Sequence, residues 1–139
     1  MWILDASVVV KWFFTDEKLR EKAIEIQDAV AEVPLKFVVP HLFYSELTHV
    51  LARKSGLSTQ FVRDALNLVL NLGLRTVSLT SEGFADLATF SCQGFSGYDA
   101  TYLGLAKQLG ARWITADFKA IKKAPADLTL ELASWKDLK

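Results

Sequence analysis

The stretch from Tyr98 to Asp117 constrains the fold more than any other part of the chain. Apolar residues at 102, 103, 105, 106 and 109 recur at helical spacing. Gly110 follows the last of them, where a helix needs a residue able to take positive φ. Arg112-Trp113-Ile114-Thr115 is then short, bulky and β-branched, as a buried strand should be. The reading is a helix that feeds a strand, with Asp99 at the helix start and Asp117 just past the strand end. In an open parallel sheet the binding crevice lies at the carboxyl ends of the strands. Asp117 is placed for such a crevice, and Asp99 is within reach of it from a neighbouring helix.

The rest of the chain repeats this alternation. Trp2-Ile3-Leu4 reads as a first strand, with Asp5 at its carboxyl end and Ser7 in the turn that follows. Val8 to Phe14 stays apolar and reads as a helical turn packed on the sheet. Glu17 to Val33 is amphipathic. Phe37-Val38-Val39, closed by Pro40, is a second strand, and Pro40 opens a helix over Leu42 to Lys54 with Gly56 beyond it. Ser58-Thr59 starts a helix that runs to about Leu72 and stops at Gly73. Arg75 to Leu79 reads as a strand, Thr80-Ser81 caps a helix to about Ser91, and Gln93 to Gly97 is a loop. Phe118 to Lys123 is a short basic helix and Leu128 to Leu130 a last strand. Strands alternating with helices predict an α/β fold, three layers around a central, mostly parallel sheet. At 139 residues, 51% of them hydrophobic, the chain is read as a single domain over residues 1–139 with a sizeable core.

The formal net charge is +0, so no global basic field announces nucleic acid, although a local patch is compatible with it. The one cysteine, Cys92, excludes an intramolecular disulfide and a multi-cysteine zinc site, and reads as a small buried side chain. The N-terminus lacks the charged-then-apolar layout of a secretion signal. Charges break every apolar window well short of a membrane span. A cytoplasmic protein with no membrane contact is expected.

Four acids stand out by position: Asp5, Glu46, Asp99 and Asp117. Asp5 and Asp117 follow apolar strands, Glu46 lies on a mostly apolar helix, and Asp99 heads another. A carboxylate among apolar neighbours is costly unless paired, hydrogen-bonded or on a metal. Carboxylates gathered at one pocket repel one another and raise each other's pKa. A hard divalent cation removes that repulsion, and Mg²⁺ or Mn²⁺ suits oxygen ligands. Such a site serves phosphodiester cleavage. Each acid also has a plainer reading: Asp5 as a turn or cap residue, Asp99 as a helix-start acid favoured by the dipole, Glu46 paired with Arg53 or Lys54, Asp117 as the cap of the helix at Phe118. Ser7 and Thr115 read singly as local hydrogen-bonders.

Taken in order, Leu4-Asp5-Ala6-Ser7, Pro40 through Ser45-Glu46-Leu47 with Leu51, Tyr98-Asp99-Ala100-Thr101-Tyr102-Leu103, and Ile114-Thr115-Ala116-Asp117 make the chain resemble the PIN-domain family, in particular the VapC-like toxin ribonucleases of toxin–antitoxin pairs. The resemblance implies a PIN-like fold and an acidic Mg²⁺ or Mn²⁺ site at Asp5, Glu46, Asp99 and Asp117. It places Ser7 as the hydroxyl beside the first acid and Thr115 as the one before the last. It implies endonucleolytic cleavage of RNA by metal-activated water, a homodimer, and a cognate antitoxin whose tail covers the acidic pocket. A departure is His49, where many relatives carry asparagine three positions after the glutamate.

His41 and His49 could be ligands or bases, but the acid set suffices without them. Lys11, Arg53, Lys54, Lys107, Lys119, Lys122 and Lys123 could line an RNA path, with Lys119, Lys122 and Lys123 favoured because they closely follow Asp117. Trp12, Phe13 and Phe14 read as core or dimer surface rather than base-stacking platforms. The alternative function is a non-catalytic binding or regulatory α/β module in which the acids are caps. A phosphoacceptor receiver domain needs a lysine after the last strand, where Glu131 follows Leu130 instead.

Overall fold

A computed structural model of the chain describes residues 1–137; Leu138 and Lys139, within the expected domain span, lie outside the described residues. Five short strands, β1 (Trp2–Leu4), β2 (Phe37–Val39), β3 (Arg75–Thr76), β4 (Arg112–Thr115) and β5 (Thr129–Glu131), form one sheet in the order β3-β2-β1-β4-β5. Every pairing is parallel, with Ile3 opposite Val38 on one side and Trp113 on the other. The chain thus builds outward from β1 through β2 to β3, then returns to lay β4 against the other flank of β1. The topological switch point falls between β1 and β4, and there an open α/β sheet leaves a crevice beyond its carboxyl ends.

Alternation along the strands sorts the core into two layers. Leu4, Phe37, Val39 and Ile114 face helices α1 (Ala6–Val9), α2 (Arg20–Glu32), α3 (Leu42–Lys54) and α4 (Thr59–Leu70). Ile3, Val38 and Trp113 face α6 (Gly97–Leu109), on which α5 (Ser81–Cys92) packs. Tyr102 stacks on Trp113 with ring centroids 5.2 Å apart. A Cβ on Gly104 would lie 3.1 Å from the Gly83 carbonyl oxygen, so glycine at 104 lets α6 approach the backbone of α5 closely. A last short helix, α7 (Phe118–Lys123), follows β4.

Local capping explains most boundaries. Ser58, Thr80, Ser96 and Asp117 each accept a hydrogen bond from a backbone N–H of the helix they start. Gly110 takes φ 59° and ends α6 as its sequence predicts.

Several boundaries differ from the sequence reading. The helix expected from Glu17 starts at Arg20, because Leu19 takes φ 58° and Glu17 turns away to two lysines. The turn expected over Val8 to Phe14 is split into α1 and a 3₁₀ turn over Val10–Trp12. The strand expected to reach Leu79 stops at Thr76, since β3 is an exposed edge with pairing on one side only. The sheet is wholly rather than mostly parallel, and the last strand is displaced by one residue. Cys92 is exposed, not buried, because it ends α5 at the surface. Trp12 is buried in the core, and Phe13 and Phe14 pack against it. Among the described residues no helix is long and apolar enough to cross a membrane.

Candidate active site

Asp5 follows β1 directly and holds an extended backbone, φ −86° and ψ 148°, at the head of α1. Its side chain caps nothing and is nearly buried. Two hydroxyls meet the same oxygen instead: Ser7 Oγ donates to Oδ2 at 2.5 Å and Thr115 Oγ1 donates to it at 2.7 Å. Each hydroxyl also accepts. The Ala116 N–H donates to Ser7 Oγ at 3.0 Å, and the Asp117 N–H donates to Thr115 Oγ1 at 3.0 Å. A hydroxyl that donates and accepts at once is what this junction requires. The ends of β1 and β4 are thereby tied together through side chains, and Asp5 Oδ1 stays outside the network. Thr115 lies fully buried behind Asp5.

The other acids arrive from helices. Glu46 stands mid-way along α3, half-buried, with Oε1 lacking any hydrogen-bond partner. Asp99 lies in the first turn of α6, and its N–H donates to Ser96 Oγ at 3.1 Å. Asp117 is exposed at the head of α7, and its Oδ1 accepts from the N–H groups of Lys119 at 3.0 Å and Ala120 at 3.3 Å. The plainer reading of Asp117 as a cap is therefore correct, and it holds alongside membership of the acidic group. Glu46 pairs with neither Arg53 nor Lys54: Arg53 meets His49 Nδ1 at 2.9 Å, and Lys54 meets Glu17.

Asp5, Glu46, Asp99 and Asp117 line a single cleft of about 410 Å³, together with Ser7, Lys11, Glu17 and Lys54. Electrostatics records their proximity. Burial pushes Asp5 up to about 6, and the charges of Asp99 and Asp117 push the same way against the Ser7 and Thr115 hydrogen bonds. Burial and then the Asp5 charge push Glu46 up to about 7. Asp99 is raised by burial and then by Asp117. The Tyr102 hydroxyl is raised first by burial and then by the Asp5 and Glu46 charges. This hydroxyl and the Glu46 carboxylate are near enough to perturb one another, yet among the described residues neither the hydroxyl nor Glu46 Oε1, both buried, has a partner that meets hydrogen-bond geometry.

A buried carboxylate oxygen without a donor, in a cleft of mutually repelling acids, is the donor chemistry of a hard divalent cation. Among the described residues no three His, Cys, Asp or Glu side chains are already closed into a metal-holding group. Asp117 is turned to its helix cap and Asp5 to its hydroxyls.

The remaining sequence candidates stand elsewhere. Lys119, Lys122 and Lys123 do not line the cleft. Lys122 Nζ lies 4.5 Å above the Phe118 ring, and Lys123 Nζ donates to the Gly94 carbonyl at 3.0 Å while remaining close enough to lower Asp99. His41 Nε2 and Ser78 Oγ are 3.0 Å apart, and His49 lines a neighbouring concavity with Glu46 and Tyr98. Sequence reasoning missed Glu17, hidden inside a stretch read as helix, and Tyr102 as a neighbour of Glu46. Helical spacing from Asp99 puts Tyr102 one turn on, the signal that could have found it.

A family model described as PIN domain matches residues 2–126. Comparison with curated proteins gave no match. Among solved structures, the chain is similar to VapC20 of Mycobacterium tuberculosis, a sarcin–ricin loop cleaving toxin, at 16% identity and TM-score 0.66, covering 86% of this chain and 94% of that one. It is similar to VapBC2 of Rickettsia felis bound to a fragment of its promoter DNA, at 12% identity and TM-score 0.68, covering 97% and 98%. A toxin–antitoxin complex from Klebsiella pneumoniae aligns at 16% identity and TM-score 0.64, over 95% and 98%. At these identities the likeness is one of fold.

Proposed function

The chain belongs to the PIN-domain family, and from that premise we propose that it is a Mg²⁺- or Mn²⁺-dependent endoribonuclease, the toxin of a type II toxin–antitoxin pair. The observation that carries the reading is the arrival of Asp5, Glu46, Asp99 and Asp117, from a strand end and three helix positions, at one cleft over the switch point. Asp117 also caps α7, but capping alone accounts for none of the other three side chains at this cleft.

Asp5, Glu46, Asp99 and Asp117 would hold the cation; when bound, it supplies Lewis-acid stabilisation of phosphoryl charge and a more acidic water. The chain's own residues do the positioning. Ser7 and Thr115 fix the Asp5 carboxylate from one side, so that it meets its ligand without a search among rotamers. Glu46 offers a buried oxygen that no donor engages with hydrogen-bond geometry, beside the Tyr102 hydroxyl. Asp99 and Asp117 line the same cleft. The substrate is RNA, the scissile phosphodiester entering at the carboxyl ends of β1 and β4.

A cognate antitoxin, a homodimer and a cytoplasmic location complete the proposal. The toxin–antitoxin assemblies among the solved structures of this fold support the antitoxin. A small upstream reading frame for a DNA-binding protein would be its genomic counterpart.

The test is cleavage of a mixed RNA pool in Mg²⁺ or Mn²⁺ by wild type and Asp5→Asn. Asn keeps the size and loses the charge, and the rate should fall on the order of 10²-fold or more. Equal rates would leave the acids structural and return the non-catalytic binding module as the better account.

A further inference from the structure

We propose that Lys11 and Lys54, held together by Glu17, form a phosphate-binding subsite that seats a phosphodiester next to the one being cut. Among the described residues that line the acidic cleft, Lys11 and Lys54 are the only cations. An RNA strand entering a cleft of carboxylates needs positive charge beside the reacting centre, and these two residues supply it. The inference rests on the ribonuclease reading for its ligand class, a single-stranded phosphodiester.

Three separate segments build the subsite. Lys11 lies on the 3₁₀ turn after α1, Glu17 in the connection before α2, and Lys54 at the last position of α3. Lys11 Nζ meets Glu17 Oε2 at 3.4 Å, and Lys54 Nζ meets Glu17 Oε1. Lys54 Nζ also lies 5.5 Å from the centroid of the Phe14 ring, which steadies the ammonium by cation–π attraction. One carboxylate between two ammonium groups leaves a net positive charge. Glu17 is held below the ordinary carboxylate range, chiefly by its bond with Lys54 and against the cost of its burial, so the bridge stays ionised.

Lys11 is the unusual member. Only 8% of it is exposed, and a lysine is rarely buried without a close partner. Among the described residues its sole hydrogen-bond partner is Glu17, at the long end of the range, while an ammonium carries three donors. A desolvated ammonium with donors to spare attracts a phosphate more strongly than a hydrated surface lysine does. Lys54 lies eight positions beyond Glu46 on α3, about 12 Å along the helix axis. Both lysines nonetheless line the same cleft as the acids, so a strand seated at the acids passes them.

The experiment is fluorescence anisotropy of a labelled single-stranded RNA oligonucleotide over a salt series, with Ca²⁺ present, using wild type, Lys54→Met, Lys54→Arg and Lys11→Met. Loss of either ammonium should raise Kd on the order of tenfold and reduce the slope of log affinity against log salt by about one. Lys54→Arg should keep the slope. Lys54 is partly exposed, so Lys54→Met should fold even if Lys11→Met does not. A wild-type affinity and slope in Lys54→Met would overturn the subsite, as would a wild type that does not bind RNA. Retained RNA affinity with lost affinity for a poly-glutamate peptide would assign the lysines to an acidic protein and also overturn it. Cleavage of the same RNA in Mn²⁺ separates the two readings. A lysine-dependent slope without cleavage supports the subsite and overturns the ribonuclease, whereas cleavage with a lysine-independent slope overturns the subsite alone.

Discussion

Thr115 Oγ1, at the end of β4, donates a 2.7 Å hydrogen bond to Asp5 Oδ2 at the end of β1, across a separation of 110 residues. The same hydroxyl accepts from the Asp117 N–H. One threonine therefore sets the position of two acids of the cleft.

Thr115→Val keeps the shape and removes both bonds. Asp5 then loses one of the two hydrogen bonds that lower its pKa, and the Asp117 N–H loses its acceptor. Stability should fall by about 1–3 kcal/mol, and cleavage should fall by more than that loss of fold explains at a temperature where the variant is fully folded. Thr115→Ser should restore most of both. Urea unfolding beside a cleavage assay checks this, and a fully active Thr115→Val would show that the bond serves stability alone.

Without metal, the acids strain the folded state. Asp99→Asn removes a like charge that raises Asp5 and Glu46, so the metal-free melting point should rise, by on the order of 1 kcal/mol of stability. Millimolar Mn²⁺ should raise the wild-type melting temperature by linkage, and the variant's by less. Identical wild-type melting in EDTA and in Mn²⁺, with no heat of binding in calorimetry, would remove the cation from the proposal.

The pH dependence follows in sign. Asp5 is shifted from 3.8 to about 6 and Glu46 from 4.5 to about 7 on folding. Both pKa values are raised, so the folded chain holds protons that the unfolded chain releases. Their contribution to stability is complete below about pH 4 and is lost as pH rises through 6 and 7. The metal-free protein should melt lower at pH 7.5 than at pH 5.5, while protection by Mn²⁺ should grow over the same interval as protons leave the ligands. Thermal melts at the two pH values, with and without EDTA, check both trends; a metal-free melting point that climbs from pH 5.5 to 7.5 would contradict the first.

Large apolar side chains stay on the surface, among them Leu57 on the turn before α4 and Leu68 and Leu70 on α4. Apolar surface of this kind is what a self-associating face offers. A homodimer is expected, and light scattering across a wide concentration range should return twice the monomer mass. A monomer throughout would refute it.

The alternation of strands and helices was legible because its signals are local. Helical spacing through Tyr102, Leu105 and Leu109 with Gly110 at φ 59°, the β-branched run at β2, and the caps Ser58, Thr80 and Asp117 each act within a few residues of themselves. Asp5, Glu46, Asp99 and Asp117 could be singled out one by one, since a carboxylate beside apolar neighbours is locally conspicuous. What the sequence left open depends on residues far apart in the chain. Sheet order decides that β1 and β4 are neighbours, and only then do Ser7, Thr115 and Asp5 share one set of hydrogen bonds. Periodicity places Glu17 in a helix. In the fold it is drawn out by Lys11 and Lys54, whose attraction outweighs the weak propensity of one exposed turn. Cys92 shows the same limit from the other side. Cysteine is buried more often than not, but a residue at the last turn of a surface helix takes the exposure of that turn. Pairings across the fold and burial are properties of the packed chain, because they depend on which surfaces meet, and no window of the sequence contains both surfaces.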